Sequence, residues 1–276
     1  MKVLDGLKNL NSKGNRKLYS VKLQRSLYGL KQYGRMWYNR LSDFLLKKGY
    51  VNNDNCLCVF IKRSHNGFCI ISVYVDDLNI IGHTEDIEVA CTYLKAEFEM
   101  KDLGKTRFCL GLQIEHLPEG ILVHQMTYTK KVLERFNMSK AHPLKTPMVV
   151  RSLDEDKDPF RPRSEDEKVL GPEVPYLSAI GALMYLANCT RPDIAFAVNL
   201  LARYSAAPTR RHWVGVKKLL RYLQGTIDLG LFFSKKHDLT MVGYADAGYR
   251  SNPYNAKSQI GFVFLLWWYS HFMEVL

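Results

Sequence analysis

Asp76 and Asp77 are adjacent carboxylates between two aliphatic, β-branched runs, Ile70-Ile71-Ser72-Val73-Tyr74-Val75 before them and Leu78-Asn79-Ile80-Ile81-Gly82 after. Neighbouring anions repel each other and are costly to desolvate, and a divalent cation relieves both problems. Carboxylate oxygens are hard ligands that suit Mg²⁺ or Mn²⁺. A solvated acidic turn is the alternative, and for two aspartates alone it is the commoner one, because Asp favours turns for local hydrogen-bonding reasons.

The flanking runs lack helical spacing, so the stretch reads as strand, tight turn, strand, with the carboxylates at the hairpin tip. A two-residue turn of the favoured kind asks both central residues for positive φ, and Asp77 carries a Cβ where Gly would be comfortable. Turn chemistry therefore does not account for these residue types.

Upstream, Leu27-Tyr28-Gly29-Leu30-Lys31-Gln32-Tyr33-Gly34-Arg35-Met36-Trp37-Tyr38 leads into a helix with Trp37, Leu41, Phe44 and Leu45 on one side and Gly49 as its stop. The first fifty residues are rich in Lys and Arg and contain only Asp5 and Asp43 as acids. Such a block suits a phosphate-facing surface, with a solvated basic face as the alternative.

Downstream, residues 85–100 read as a helix with Ile87, Cys91, Leu94 and Phe98 at helical spacing. Phe108 to Ile114 and Ile121 to His124 then read as a hairpin across Pro118-Glu119-Gly120, followed by a short helix from Tyr128 to Phe136. Between Pro143 and Pro175 fall six of the ten prolines, interleaved with acidic runs, which predicts an extended linker. Three helices follow. The first runs from Tyr176 to Ala187 with Leu177, Ile180, Met184 and Ala187 inward; the second starts near Thr190 with Pro192 in its first turn and stops before Pro208. In the third, Trp213, Val216, Leu219, Leu220 and Leu223 cover one sector, and Arg210, Arg211, Lys217, Lys218 and Arg221 cover the other. Solvation is the default for a basic face, but five cations without an interleaved acid favour phosphate contact.

The 276 residues include 39 Lys and Arg against 27 Asp and Glu, a net charge of +12. This excess favours a polyanionic partner, nucleic acid before anionic membrane. Hydrophobic residues make up 47% of the chain, which excludes the disordered class. Six cysteines form no C-x-x-C pair and stand at no zinc-finger spacing, which predicts reduced thiols and an intracellular chain. Residues 1–20 lack an apolar h-region, and the longest apolar run, Ile260 to Tyr269, is too short to span a bilayer.

Taken together, Tyr74-Val75-Asp76-Asp77, the L-Y-G-L-K-Q and R-x-W-Y wording from Leu27 to Tyr38, and F-x-L-G-L-x-I from Phe108 resemble copia-type retrotransposon reverse transcriptases. The later wording Y-L-x-A-I-G-A-L-M-Y-L-A, T-R-P-D-I and L-R-Y-L-Q-G-T resembles the helical region after the palm of the same family. The resemblance covers nearly everything from Tyr19 to Phe264. It departs from the family at Tyr33-Gly34, where Ser-Pro or Ala-Pro is usual, and after Leu266.

That resemblance implies an α+β fold: a partial right-hand polymerase palm with an antiparallel sheet over residues 1–138, the Pro-rich acidic linker over 139–175, a helical thumb-like region over 176–235, and truncated ribonuclease H-like strands over 236–276. It implies RNA-directed DNA polymerisation, with Asp76 and Asp77 as catalytic ligands of Mg²⁺ or Mn²⁺. Gly29, Lys31, Gln32 and Tyr74 would meet template or nucleotide, and Gly111 would lie in the segment that grips the primer. Arg210, Arg211, Lys217, Lys218 and Arg221 would contact phosphates, and Asp246, in Tyr244-Ala245-Asp246-Ala247, matches the first ribonuclease H carboxylate. Implied partners are an RNA/DNA template-primer, a deoxynucleoside triphosphate and the other domains of a Pol polyprotein, with no membrane, in a cytoplasmic particle or the nucleus.

Two-metal phosphoryl transfer needs carboxylates from more than one element. The family takes a third from an upstream strand worded like V-D-V-K-T-A-F, which is not found between Met1 and Leu27, so catalytic incompleteness is expected. Two other readings remain: a non-catalytic, basic nucleic-acid-binding remnant, and a metal-dependent nuclease that rests on the paired carboxylates alone.

Overall fold

The computed structural model describes residues 29–65, 67–149, 158, 160–235, 241–248, 254 and 258–266. The chain divides into two units, Met1–Gly104 and Lys105–Leu276.

In the first unit, helix α1 (Tyr33–Lys47) precedes strands β1 (Val51–Asn53), β2 (Cys56–Arg63), β3 (Phe68–Tyr74) and β4 (Asp77–Gly82), and helix α2 (Thr84–Glu97) follows. The strands form one antiparallel sheet in the order β1-β2-β3-β4. Strands β1 and β2 were not foreseen. Period 2 places Cys69, Ile71 and Val73 of β3 on the inner face, where they meet Leu41 and Leu45 of α1 and Ala90 and Leu94 of α2. Leu41 and Leu45 are fully buried, each contributing about 1.5–3 kcal/mol. Helix α1 ends in a Schellman motif: Gly49 stands at φ +86, its N–H bonds to the Leu46 carbonyl, and the Tyr50 N–H reaches back to Leu45. Among the described residues β4 is an edge strand.

The second unit begins with β5 (Phe108–Cys109), β6 (Leu112–His116) and β7 (Gly120–His124), then α3 (Met126–Arg135). Helices α4 (Tyr176–Cys189), α5 (Ala195–Ala202) and α6 (Arg210–Gly225) follow, with a 3₁₀ turn at Pro192–Ile194 before α5. Strand β8 (Gly230–Ser234) pairs with β7 and completes a four-stranded antiparallel sheet. Two further strands, β9 (Met241–Gly248) and β10 (Gln259–Leu266), form a separate antiparallel pair.

Three expectations are corrected here. The F-x-L-G-L-x-I segment is not one strand: Leu110 and Gly111, both at positive φ, turn it into the β5–β6 hairpin. The inward face of α4 is also displaced. Leu177 and Met184 are 69% and 40% exposed, while Tyr176, Ala179, Ile180, Leu183, Leu186 and Ala187 form the core. This helix is apolar nearly all round, so periodicity does not select its buried side. Finally, the described part of the Pro-rich segment is a strap packed on the helices. Phe160 is buried among them, Val169 bridges to Thr209, and the Leu170 N–H bonds to the Pro208 carbonyl. No helix among the described residues is long and apolar enough to cross a membrane.

Candidate metal-binding hairpin and its surroundings

Tyr74 pairs directly with Asp77, so the turn joining β3 to β4 is Val75-Asp76. The expected centre is therefore off by one residue: Asp76 occupies the turn and Asp77 opens β4. The strain falls on Val75, at φ 53, and Asp76 keeps a negative φ. This is the one-positive pattern of a II′ turn, whose first central place Gly normally fills. A β-branched residue there is a conformational outlier costing about 1–3 kcal/mol.

Directly opposed residues share a face, so Asp77 lies with Tyr74, and Asn79 with Ser72, on the side of the sheet away from the helices. Leu78 and Ile80 join Val73 and Ile71 on the packed side. Both carboxylates and Tyr74 are exposed. Among the described residues no ion pair involves Asp76 or Asp77, and no three His, Cys, Asp or Glu side chains gather into a group that could enclose a metal ion. Two open, adjacent carboxylates fit a Mg²⁺ ion that keeps several waters and takes the rest of its shell from substrate phosphates; they do not make a closed cage.

The hairpin is tied to α1. The Trp37 indole donates a 2.8 Å hydrogen bond to the Val75 carbonyl, and its ring meets Phe98 edge-on at 5.3 Å. Lys31 and Gln32, both exposed, immediately precede that helix, and Gln32 is its N-terminal flanking residue. Gly29 lies at φ +88, and among the described residues a Cβ there would meet nothing within 4 Å. Its need for Gly is thus conformational.

Gly111 belongs to the second unit, in the turn between β5 and β6. Its φ is +83, and a Cβ would come within 2.5 Å of the Tyr185 hydroxyl. That hydroxyl donates a 2.9 Å hydrogen bond to the Leu110 carbonyl. Tyr185 was not anticipated. Its sequence signal is a phenol hydroxyl within a largely apolar helix.

The basic sector of α6 divides in two. Arg210 and Lys217 are exposed and Lys218 is half-buried. Arg211, however, grips Glu167 of the strap at 2.6 Å and donates to the carbonyls of Arg161 and Pro162. Arg221 donates through Nε to the His142 carbonyl at 2.7 Å. Thr209 caps the helix in a reciprocal box with His212. Burial holds the His212 imidazole below its usual value, so neutral Nδ1 accepts from the Thr209 N–H while Nε2 donates to Arg161. The T-R-P-D-I wording becomes a clasp: Arg191, 1% exposed, meets Asp193 at 3.0 and 2.7 Å and also bonds to the carbonyl and hydroxyl of Thr226. Asp246 lies in β9 opposite Gly261 and is exposed.

The reverse transcriptase (RNA-dependent DNA polymerase) family model matches residues 7–150. The chain is 40% identical over 247 residues, 88% of its length, to the retrovirus-related Pol polyprotein from transposon TNT 1-94 of Nicotiana tabacum. It is 34% identical over 249 residues to the Pol polyprotein from transposon RE2 of Arabidopsis thaliana, and 33% identical over 249 residues to that from transposon RE1. It spans 18%, 16% and 16% of the lengths of these three relatives. No solved structure matches the chain.

Proposed function

Since this chain belongs to the reverse transcriptase (RNA-dependent DNA polymerase) family, we propose that Asp76 and Asp77 are metal ligands of an RNA-directed DNA polymerase. The observation that carries this reading is the hairpin itself. Two adjacent carboxylates stand exposed at a strained turn, at the end of a sheet whose other face packs on the helices. Strain of this kind persists where surrounding structure over-determines it, and it clusters at functional sites.

When bound, Mg²⁺ or Mn²⁺ would supply charge neutralisation at the transferring phosphate and orientation of the primer hydroxyl. The chain's own residues do the rest. Asp76 and Asp77 present the ligand oxygens. Tyr74 offers an aromatic surface beside Asp77 for a base or sugar. Gly29 leaves room for nucleic acid, and Lys31 and Gln32 offer a cation and an amide for phosphate or base contact. Gly111 stands in the primer-gripping segment, and Arg210, Lys217 and Lys218 follow the phosphate backbone. Template-primer and a deoxynucleoside triphosphate are the partners, inside the cell and beside the other Pol domains.

Asp76 and Asp77 hold the ion through their own oxygens, with the rest of its shell supplied by water and substrate phosphates. Asp246 would be a metal-binding carboxylate of a ribonuclease H-like segment. Primer extension on an RNA template, in Mg²⁺ and then Mn²⁺, beside the Asp76→Asn, Asp77→Asn double variant, tests the reading. Extension, however slow, that disappears in the variant supports it. Template-primer binding with no extension and no metal affinity specific to the pair selects a non-catalytic nucleic-acid-binding role instead.

A further inference from the structure

We propose that Trp37 is the positioning residue of the Asp76–Asp77 hairpin: its indole N–H holds the Val75 carbonyl, and with it the left-handed backbone that sets the direction of both carboxylates. The inference rests on the metal-binding reading of that pair.

Val75 is the wrong residue for its conformation. It is β-branched at φ 53, its side chain is exposed, and so its own packing does not hold it there. What reaches it is a donor 38 residues away, the Nε1 of Trp37 at 2.8 Å. An indole has a single N–H, so the direction of that bond is set by the direction of the ring. The ring in turn is fixed. Phe98 meets it edge-on at 5.3 Å with an interplanar angle of 79°, and Phe98 is buried and held from another side by Phe44, also at 5.3 Å and 85°. The Arg40 guanidinium lies 5.3 Å from the Phe98 ring.

Trp37 thus transmits the rigidity of the helix–sheet core to a turn whose own chemistry is unfavourable. The carbonyl it holds is that of the residue immediately before Asp76. If Val75 relaxed to negative φ, the peptide between Val75 and Asp76 would rotate and the two carboxylates would no longer present one ligand set. Val75 gives the site its strained geometry and Trp37 keeps it there.

The test uses the full chain with Mn²⁺ as probe, in a cycle of Trp37→Phe, Val75→Gly and the double variant. Phe retains an aromatic ring beside Phe98 and lacks the N–H. Trp37→Phe is expected to weaken Mn²⁺ binding about tenfold. Glycine takes positive φ without strain, so Val75→Gly in the Trp37→Phe background is expected to restore affinity to within about threefold. A purely structural role for Trp37 would give a loss that Val75→Gly does not rescue. Such a loss overturns the proposal, as does unchanged affinity in Trp37→Phe.

A second readout does not depend on metal: the three-bond HN–Hα coupling and Cβ shift of Val75, which report its φ. They are expected to move away from left-handed values in Trp37→Phe. If wild type and the Asp76→Asn, Asp77→Asn variant bind Mn²⁺ alike, the metal-binding reading fails, and the Val75 coupling still decides whether Trp37 holds the turn. Should Trp37→Phe not fold, replacing the indole by benzothiophene keeps the bicyclic shape without the N–H and carries the same expectations.

Discussion

The Tyr185 hydroxyl donates a 2.9 Å hydrogen bond to the carbonyl of Leu110, joining helix α4 to a turn 75 residues away. Leu110 and Gly111 at φ 52 and 83 form a turn with both central residues left-handed, the I′ pattern. A Cβ on Gly111 would meet that same hydroxyl at 2.5 Å, so the turn is restricted by backbone geometry and by Tyr185 together. Gly111→Ala is expected to destabilise the protein by about 1–3 kcal/mol. Adding Tyr185→Phe removes the clash and leaves the strain, so the double variant should be more stable than the two single losses predict. Urea midpoints of the four proteins measure the coupling.

Leu110 occupies the first central position of that turn, where Asn-Gly is the favoured pair, and its side chain is 54% exposed. Leu110→Asn is therefore expected to raise stability by about 0.5–1 kcal/mol. A lowered melting temperature would mean that the leucine side chain makes a contact worth more than the strain.

The Arg191 clasp is a buried charge whose partners are all within the helical unit. Tyr222 donates to Asp193 at 2.8 Å, so the carboxylate serves two elements. Breaking a buried ion pair from one side typically costs about 3–5 kcal/mol. Asp193→Asn is expected to fall in that range, and Arg191→Lys to lose most of it as well, because an ammonium does not reproduce the planar fork. Thermal unfolding followed by circular dichroism checks both, and a shift of only a degree or two in either would contradict the clasp.

Glu167 gives the strap a pH dependence. The hydrogen bonds from Arg211 hold its carboxyl at about 2, below the ordinary 4.5. A depressed folded value stabilises above the unfolded one, so this contribution is full above about pH 4.5 and is lost as pH falls toward about 2. The gap in urea midpoint between wild type and Glu167→Gln should be constant at neutral pH and close across that window. A gap that persists at pH 2 would show that the charge on Glu167 is not what anchors the strap.

The two halves of the α6 basic sector should behave differently. Arg210→Ala and Lys217→Ala are each expected to reduce the slope of log affinity against log salt for template-primer by about 1, with little change in stability. Arg211→Ala should instead lower the urea midpoint and leave the slope in place, because its guanidinium holds Glu167 and two strap carbonyls. A slope change from Arg211→Ala would reassign it to phosphate.

The sequence by itself determined the features whose signals are local. Aliphatic runs without helical spacing set the β3–β4 hairpin, Gly49 set the end of α1, and the contrast between apolar and basic residues set both faces of α6. The adjacent carboxylates and the family wording around them were equally legible, because they are contiguous. The tertiary structure decided what depends on partners distant in the chain. Strand register moved the turn centre from Asp76-Asp77 to Val75-Asp76, since a one-residue shift in pairing leaves composition unchanged. Neighbouring helices chose the buried side of α4, which its nearly uniform apolar surface left undetermined. Tyr185 lies over the break at Leu110-Gly111, β8 came to lie beside β7, and Arg211 joined α6 to Glu167. Each of these joins residues 44 to 114 positions apart, where no period of 2 or 3.6 carries information.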